Sequence, residues 1–138
     1  MTIHAFTDGA SRGNPGDSGI GIVLKDEKGI VLSSDFGYIG QATNNFAEYT
    51  ALIACLKLVR KKGCKTLVIH SDSELLVRQM EGMYKVKEPR LKKFVTQAHA
   101  LIQSAGFECS FRHITREHNR EADHLANRGI DSRRPIRI

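Results

Sequence analysis

The sequence contains no tryptophan and only three cysteines among its 138 residues. Cys55, Cys64 and Cys109 lie far apart and form no CxxC pair, which argues against a disulfide framework and against a zinc site. No apolar run approaches the roughly 20 residues that span a bilayer, and no signal peptide precedes the first predicted strand. We therefore expect a cytoplasmic protein that does not contact membranes.

Internal repeats, low-complexity tracts and Pro/Gly/Ser-rich linkers are also absent. We expect one domain over residues 1–131, followed by a short basic tail at 132–138. Two nucleotide-binding signatures are missing as well, because Gly19-x-Gly21 lacks the third glycine of a dinucleotide fingerprint and no phosphate-binding P-loop occurs. The sequence therefore carries neither of these signatures of nucleotide-binding proteins.

Positive charge is in excess, with a formal net charge of +6. The lysines and arginines form three groups in the sequence: Lys57, Arg60, Lys61, Lys62 and Lys65; Lys85, Lys87, Arg90, Lys92 and Lys93; and Arg128, Arg133, Arg134 and Arg137. Such grouping suits a polyanion such as nucleic acid. Charge by itself leaves a solvated basic surface as the alternative.

Hydrophobic periodicity predicts the element order βββαβααβα. Three antiparallel strands come first, and the reversal after the first is predicted at Asn14–Asp17, where Pro15 and Gly16 suit a type II turn. A helix through Tyr49 and Val59 follows, capped by Thr43 or Asn44 and ended by Gly63. The remaining predicted elements are a strand at 66–69, helices at 73–80 and 90–104, a strand at 107–114, and a helix at 119–128 that stops before Gly129. This pattern indicates an α/β fold with a mixed sheet.

Four acidic residues occupy strand ends and helix starts: Asp8, Glu48, Asp72 and Asp123. Each has an ordinary structural explanation when taken singly, such as the capping-box spacing Ser71-x-x-Glu74 beside Asp72. Strand ends and helix starts of an α/β sheet commonly meet at one edge, however, and four carboxylates there repel one another unless cations bind. Magnesium prefers oxygen ligands, and two such ions about 4 Å apart suit phosphodiester hydrolysis.

Four blocks of the sequence carry a resemblance to a known family: TDGASRGNPG at 7–16, TNNFAEYTAL at 43–52, IHSDSELLVRQM at 69–80 and NREADHLAN at 119–127. In order and spacing they resemble the catalytic blocks of type 1 ribonuclease H. The resemblance implies a five-stranded mixed sheet flanked by helices, with Asp8, Glu48, Asp72 and Asp123 as catalytic, metal-binding acids. It also implies hydrolysis of the RNA strand of RNA/DNA hybrids with two Mg²⁺ ions, for which Mn²⁺ is a possible substitute, leaving 3′-hydroxyl and 5′-phosphate ends.

The same resemblance implies contacts with the duplex. The small residues Gly9, Ala10, Ser11 and Gly13 would let a duplex approach Asp8. Polar and basic residues would contact its minor groove and phosphates: Ser11, Asn14, Thr43, Asn44, Asn45, Lys85, Lys87 and Arg90. RNA in such a duplex exposes 2′-hydroxyls that distinguish it from DNA. Turn formation is the alternative role for the glycines, and helix capping is the alternative for the residues at 43–45.

Two departures from the family leave questions open. The segment 115–119 is shorter than the loop that carries an auxiliary histidine in many relatives, so we favour His118 for proton transfer, with Glu117 or His113 as alternatives. A longer, tryptophan-containing basic segment is replaced by 81–88. We expect a free-standing enzyme without an obligate protein partner. Double-stranded RNA as substrate, a catalytically silent duplex-binding module, and an enzyme acting on DNA junctions or ends remain alternative readings.

Overall fold

A computed structural model describes residues 1–136 of the chain; Arg137, which belongs to the third basic group, and Ile138 lie outside the described residues. The elements are β1 Thr2–Ser11, β2 Gly16–Lys25, β3 Val31–Ala42, α1 Asn44–Lys62, β4 Thr66–Ser71, α2 Glu74–Met80, α3 Pro89–Ala105, β5 Glu108–His113, a 3₁₀ turn Arg116–Asn119 and α4 Arg120–Ser132. The predicted order is confirmed, with the 3₁₀ turn as an addition. Within these residues no helix is both long and apolar enough to cross a membrane.

The five strands form one mixed sheet in the order β3-β2-β1-β4-β5. β1 pairs antiparallel with β2, and β2 pairs antiparallel with β3, whereas β1 with β4 and β4 with β5 are parallel pairs. Thr7 of β1 stands opposite Ser71 of β4 in the register. The parallel pairing ends at this pair, so the next residue of each segment, Asp8 and Asp72, lies at the same edge of the sheet.

The two faces of the sheet are covered differently. Ile20 and Ile22 of β2 belong to a buried core that also contains the inner face of α1, and α3 packs on α1. Gly19 and Gly21 alternate with these residues and face α4 on the opposite side. The sheet is therefore enclosed by α1 and α3 on one face and by α4 on the other.

Helix α1 begins and ends at the residues that its sequence signals indicate. The Thr43 hydroxyl oxygen accepts a hydrogen bond from the Phe46 N–H at 3.2 Å, so Thr43 rather than Asn44 is the cap. Gly63 closes the helix with a φ of 70°, the left-handed conformation that a glycine adopts without strain. Glu48 is thereby fixed in the second turn of α1.

The predicted end of the last helix was wrong. α4 continues through Gly129 to Ser132, because this glycine packs against a strand and does not terminate the helix. A Cβ atom at Gly129 would lie 2.4 Å from the Gly37 carbonyl oxygen of β3, and one at Gly21 would lie 2.2 Å from the Ala122 carbonyl oxygen. Glycines on both elements thus allow backbone contact between α4 and the sheet. The predicted domain boundary after residue 131 stays a prediction.

The predicted type II turn between β1 and β2 was also wrong. The chain does reverse there, and the Arg12 N–H donates to the Asp17 carbonyl oxygen at 2.8 Å. Gly13, however, has the positive φ of 137°, whereas Gly16 already belongs to β2, and the Asn14–Pro15 peptide is cis. A type II turn needs positive φ at its third residue, and Gly16 does not supply it.

Candidate active site

Three of the four predicted acids converge at the carboxyl edge of β1 and β4. Asp8 lies on β1, Asp72 follows β4, and Glu48 projects from α1; one carboxylate oxygen from each lies within 4.8 Å of the other two. Glu48 and Asp72, which lie 40 and 64 positions after Asp8 in the sequence, are thus brought beside it by tertiary packing. The parallel register of β1 and β4 places the two aspartates, and the position of α1 supplies the glutamate.

Gly9 allows α1 to reach this edge. A Cβ atom at Gly9 would lie 2.3 Å from the Ala47 carbonyl carbon and 2.4 Å from the Glu48 nitrogen, so only glycine fits beneath the helix. The Gly9 N–H also donates to Glu48 Oε1 at 2.6 Å. The space that we expected a duplex to occupy at Gly9 is therefore filled by α1, and this glycine serves the assembly of the site.

Asp123 approaches this group from the first turn of α4. Its proximity raises the pKa of Asp8, and its charge also raises the pKa of Asp72. We call Asp8, Glu48, Asp72 and Asp123 together the carboxylate site.

Negative charge at the carboxylate site is under-compensated. Burial raises the pKa of Asp8, which is 4% exposed, and the charges of Glu48 and Asp72 raise it further. Burial and the charge of Asp72 likewise raise the pKa of Glu48, although the Gly9 N–H opposes this effect. The pKa of Asp72 is raised mainly by burial. A site with these properties takes up protons or cations.

Two residues near the carboxylate site were missed by the sequence reasoning. The charge of Arg116, in the 3₁₀ turn, lowers the pKa of both Glu48 and Asp72. Asn119 is 1% exposed, and its Nδ2 donates to the Thr7 carbonyl oxygen at 2.9 Å and to Asp72 Oδ2 at 3.4 Å. A signal for Asn119 was present, since it stands four residues, about one helical turn, before Asp123.

Most of the predicted substrate contacts line one groove at the start of α1, the helix that carries Glu48. A groove of about 850 Å³ is lined by Asn14, Pro15, Gln41, Ala42, Thr43, Asn44, Asn45, Phe46, Glu88, Arg90 and Leu91. The Asn44 N–H donates to Asn14 Oδ1 at 3.1 Å, which joins the β1–β2 turn to the start of α1. Five of the eight predicted contact residues are therefore neighbours in space.

The other three predicted contact residues lie outside this groove. The Ser11 hydroxyl donates to the backbone carbonyl oxygens of Ala42, at 2.8 Å, and of Gly13. Lys85 and Lys87 are exposed in the segment between α2 and α3. The hydroxyl of Ser11 is thus committed to holding the backbone, while the two lysines are free to contact a partner.

The candidates for the auxiliary group differ in their surroundings. His118 is exposed on the 3₁₀ turn, with Nδ1 2.7 Å from the Thr115 hydroxyl oxygen, and Glu117 lines the same small cavity of about 110 Å³. His113 ends β5, as expected, and its charge lowers the pKa of Asp72. The choice of His118 stays a prediction, and His113 is the candidate whose charge acts on the carboxylate site.

Comparisons with known proteins find similar sequences over most of the chain. A family model described as "Reverse transcriptase-like" matches residues 6–129. "Ribonuclease HI" of Halobacterium salinarum is 39% identical over 130 residues, which cover 94% of this chain and 64% of that protein. "Bifunctional protein Rv2228c" of Mycobacterium tuberculosis is 43% identical over 133 residues, 96% of this chain and 36% of that protein. The chain thus spans less than two thirds of the length of these curated relatives.

One solved structure is similar to this chain over nearly the full length of both proteins. LC11-RNase H1, isolated from compost by a metagenomic approach, was crystallised in complex with an RNA/DNA hybrid. It superposes with a TM-score of 0.91 at 45% sequence identity, and the match covers 94% of this chain and 97% of that chain.

Proposed function

The chain belongs to the type 1 ribonuclease H family, and from this premise we propose that it hydrolyses the RNA strand of RNA/DNA hybrids endonucleolytically. The products would carry 3′-hydroxyl and 5′-phosphate ends. One observation carries the proposal: carboxylate oxygens of Asp8, Glu48 and Asp72 lie within 4.8 Å of one another at the edge of the sheet.

The residues of the carboxylate site fit a hard divalent cation. All the donors are oxygen atoms, which is the ligand type that Mg²⁺ prefers, and the raised pKa values of Asp8 and Glu48 indicate negative charge that a cation would compensate. We propose that Asp8, Glu48, Asp72 and Asp123 together hold two Mg²⁺ ions, with Mn²⁺ as a substitute. Such ions supply a nucleophilic water near neutral pH and stabilise the leaving oxygen of the phosphodiester.

The protein's own contribution is to bind and position. The Gly9 N–H holds Glu48 at the site, and Arg116 supplies positive charge beside Glu48 and Asp72. His118, or one of the alternatives Glu117 and His113, would assist proton transfer. These groups lie on β1, α1, β5 and the 3₁₀ turn, so the packing of these four elements sets their relative positions.

The groove is the proposed binding surface for the hybrid. Thr43 would bind a phosphate of the DNA strand, and Asn14, Asn44 and Asn45 would contact the minor groove, where RNA exposes 2′-hydroxyls. Ser11, Lys85, Lys87 and Arg90 would add contacts along the duplex. The LC11 relative supports this proposal because it was crystallised with an RNA/DNA hybrid. Contacts with phosphates predict that the KM for the hybrid rises with salt concentration.

We further propose that the protein acts in the cytoplasm. Cys55, Cys64 and Cys109 are all free thiols, and Cys55 and Cys64 are buried. Free thiols are typical of a reducing compartment.

A cleavage assay with three labelled duplexes tests the proposed function. Purified protein with Mg²⁺ should cut the RNA strand of a hybrid, and Asp72→Asn should lower the rate by at least 100-fold while the melting curve still shows a folded protein. Asn127→Ala is the matched control, because this α4 side chain donates its amide N–H to the Asp123 backbone carbonyl oxygen rather than to a carboxylate of the site.

The same assay separates the alternatives. Preferred cleavage of double-stranded RNA would replace the hybrid as the main substrate, and preferred cleavage of all-DNA duplexes would select an enzyme for DNA. Hybrid binding without any Mg²⁺-stimulated cleavage would identify a silent binding module. Full activity of Asp72→Asn would overturn the assignment of the carboxylate site.

A further inference from the structure

We propose that Asn119 is a positioning residue, which orients the Asp72 carboxylate through its side-chain amide and receives, at Oδ1, a hydrogen bond from water around a divalent ion at the carboxylate site. This inference rests on the proposed function. It assigns a role to a residue that lies outside the four acids and outside the groove.

The hydrogen bonds of Asn119 link the elements that build the site. Nδ2 has two hydrogen atoms, and both have acceptors: the Thr7 carbonyl oxygen at 2.9 Å and Asp72 Oδ2 at 3.4 Å. Thr7 directly precedes Asp8, while Asn119 directly precedes the helix that carries Asp123. One amide group therefore joins the ends of β1 and β4 to the start of α4.

The amide also restricts the Asp72 carboxylate. Because Asn119 Nδ2 donates to Oδ2, this contact favours one orientation of the carboxylate before any ligand arrives.

The remaining atom of the amide points to a ligand. Asn119 Oδ1 is the buried side-chain polar atom that finds no hydrogen-bond partner within residues 1–136, in a side chain that is 1% exposed. Exchanging Oδ1 and Nδ2 would not help, because an oxygen would then face the Thr7 carbonyl oxygen. Buried acceptors in proteins are nearly always satisfied by protein or by ordered water. Water in the shell of an ion beside Asp72 supplies a donor of this kind.

A positioning role and a purely structural role predict different results. Loss of a structural contact would lower the melting temperature but leave the affinity for Mg²⁺ unchanged. Loss of a group that orients a ligand typically weakens metal binding by 10–100-fold. Metal binding measured without nucleic acid therefore separates the two roles, and it does not depend on activity.

The experiment measures the rise in melting temperature with Mg²⁺ concentration for the wild-type protein, Asn119→Ala and Asn119→Leu. Leucine keeps the branched shape of asparagine but removes both donors and the acceptor. We expect the Mg²⁺ concentration for half-maximal stabilisation to rise about tenfold or more in both variants. Asn127→Ala should match the wild-type protein. An unchanged Mg²⁺ dependence in folded Asn119 variants would overturn the proposal.

A double-mutant cycle shows whether Asn119 acts through Asp72. In an Asp72→Asn background, Asn119→Ala should change the Mg²⁺ dependence by less than twofold, because the carboxylate that it orients is gone. An effect that stays as large as in the wild-type background would contradict the role through Asp72.

A measurement on the wild-type chain covers the case in which the Asn119 variants do not fold. The side-chain amide ¹⁵N and ¹H resonances of Asn119 should shift during a Mg²⁺ titration, whereas those of Asn127 should shift less; resonances of Asn119 that stay unchanged at saturation would overturn the proposal. Hybrid cleavage by the wild-type protein is followed in parallel. If the wild-type protein binds no Mg²⁺ and cuts nothing, the proposed function itself fails, which is a different outcome from normal cleavage with an Mg²⁺-insensitive Asn119.

Discussion

The contact between Gly21 of β2 and α4 connects the packing of the sheet to the carboxylate site. A Cβ atom at this position would lie 2.2 Å from the Ala122 carbonyl oxygen and 2.6 Å from the Ala126 nitrogen. Both are backbone atoms of α4 and cannot rotate away. To reach the 3.4 Å at which ordinary contact begins, the helix must move by about 1.2 Å (3.4 − 2.2). Asp123 lies on the turn that would move.

Two effects of Gly21→Ala oppose each other. Loss of backbone freedom in the unfolded chain favours alanine by about 0.4–1 kcal/mol. Overpacking against a backbone costs about 1–3 kcal/mol, so the clash dominates. We expect a net loss of about 1–2 kcal/mol, which lowers the melting temperature by about 4–8 °C. A displacement of about 1 Å at a catalytic group can cost about 100-fold in rate, so kcat should fall by roughly 10–100-fold.

Gly29→Ala is the matched control for this variant. Gly29 has a φ of 82° and no atom within 4 Å of a Cβ position, so alanine there is strained but touches nothing. Its stability should fall by about 1–2 kcal/mol while kcat stays at the wild-type value. Differential scanning calorimetry and single-turnover cleavage at saturating Mg²⁺ measure both quantities. A folded Gly21→Ala protein with wild-type kcat would refute the view that this contact positions Asp123.

Other expectations follow from the carboxylate site and from the cap of the first helix. The raised pKa values of Asp8 and Glu48 mean that the folded state binds more protons than the unfolded state. In EDTA, the free energy of unfolding should therefore fall as pH rises from about 4.5 through neutrality. Saturating Mg²⁺ should make this dependence on pH weaker, which calorimetry measures. For the same reason Asp8→Asn should raise the melting temperature in EDTA at pH 8 while abolishing hybrid cleavage, and a lower melting temperature would contradict the assigned burial of charge. Thr43→Ala should lower the free energy of unfolding in urea by about 1 kcal/mol through loss of the bond from the Phe46 N–H, with Thr43→Ser close to the wild-type protein; equal losses in both variants would exclude the capping role.

Much of the fold was accessible from local signals in the sequence. Hydrophobic periodicity predicts the order of strands and helices, because the buried face of each element requires apolar residues at the spacing of a helix or of a strand. Gly63 ends its helix as predicted, and Gly106 ends α3 in the same left-handed conformation, since a left-handed residue after a helix favours glycine in any context. The same logic failed at Gly129, where the glycine is required by the Gly37 backbone of β3 and not by the end of a helix. The local sequence does not show whether a glycine ends a helix or allows close contact with another backbone.

The residues of the site were likewise accessible from the sequence, whereas their arrangement was accessible only from the tertiary structure. The sequence alone identifies the four carboxylates, their positions at strand ends and helix starts, and the family to which their blocks belong. Only the tertiary structure brings Asp8, Glu48 and Asp72 within 4.8 Å, seats α1 on Gly9, and places the buried amide of Asn119 against Asp72. The physical reason is that local signals depend on neighbours in the chain, whereas the distance between two carboxylates and the burial of an amide depend on how separate elements pack.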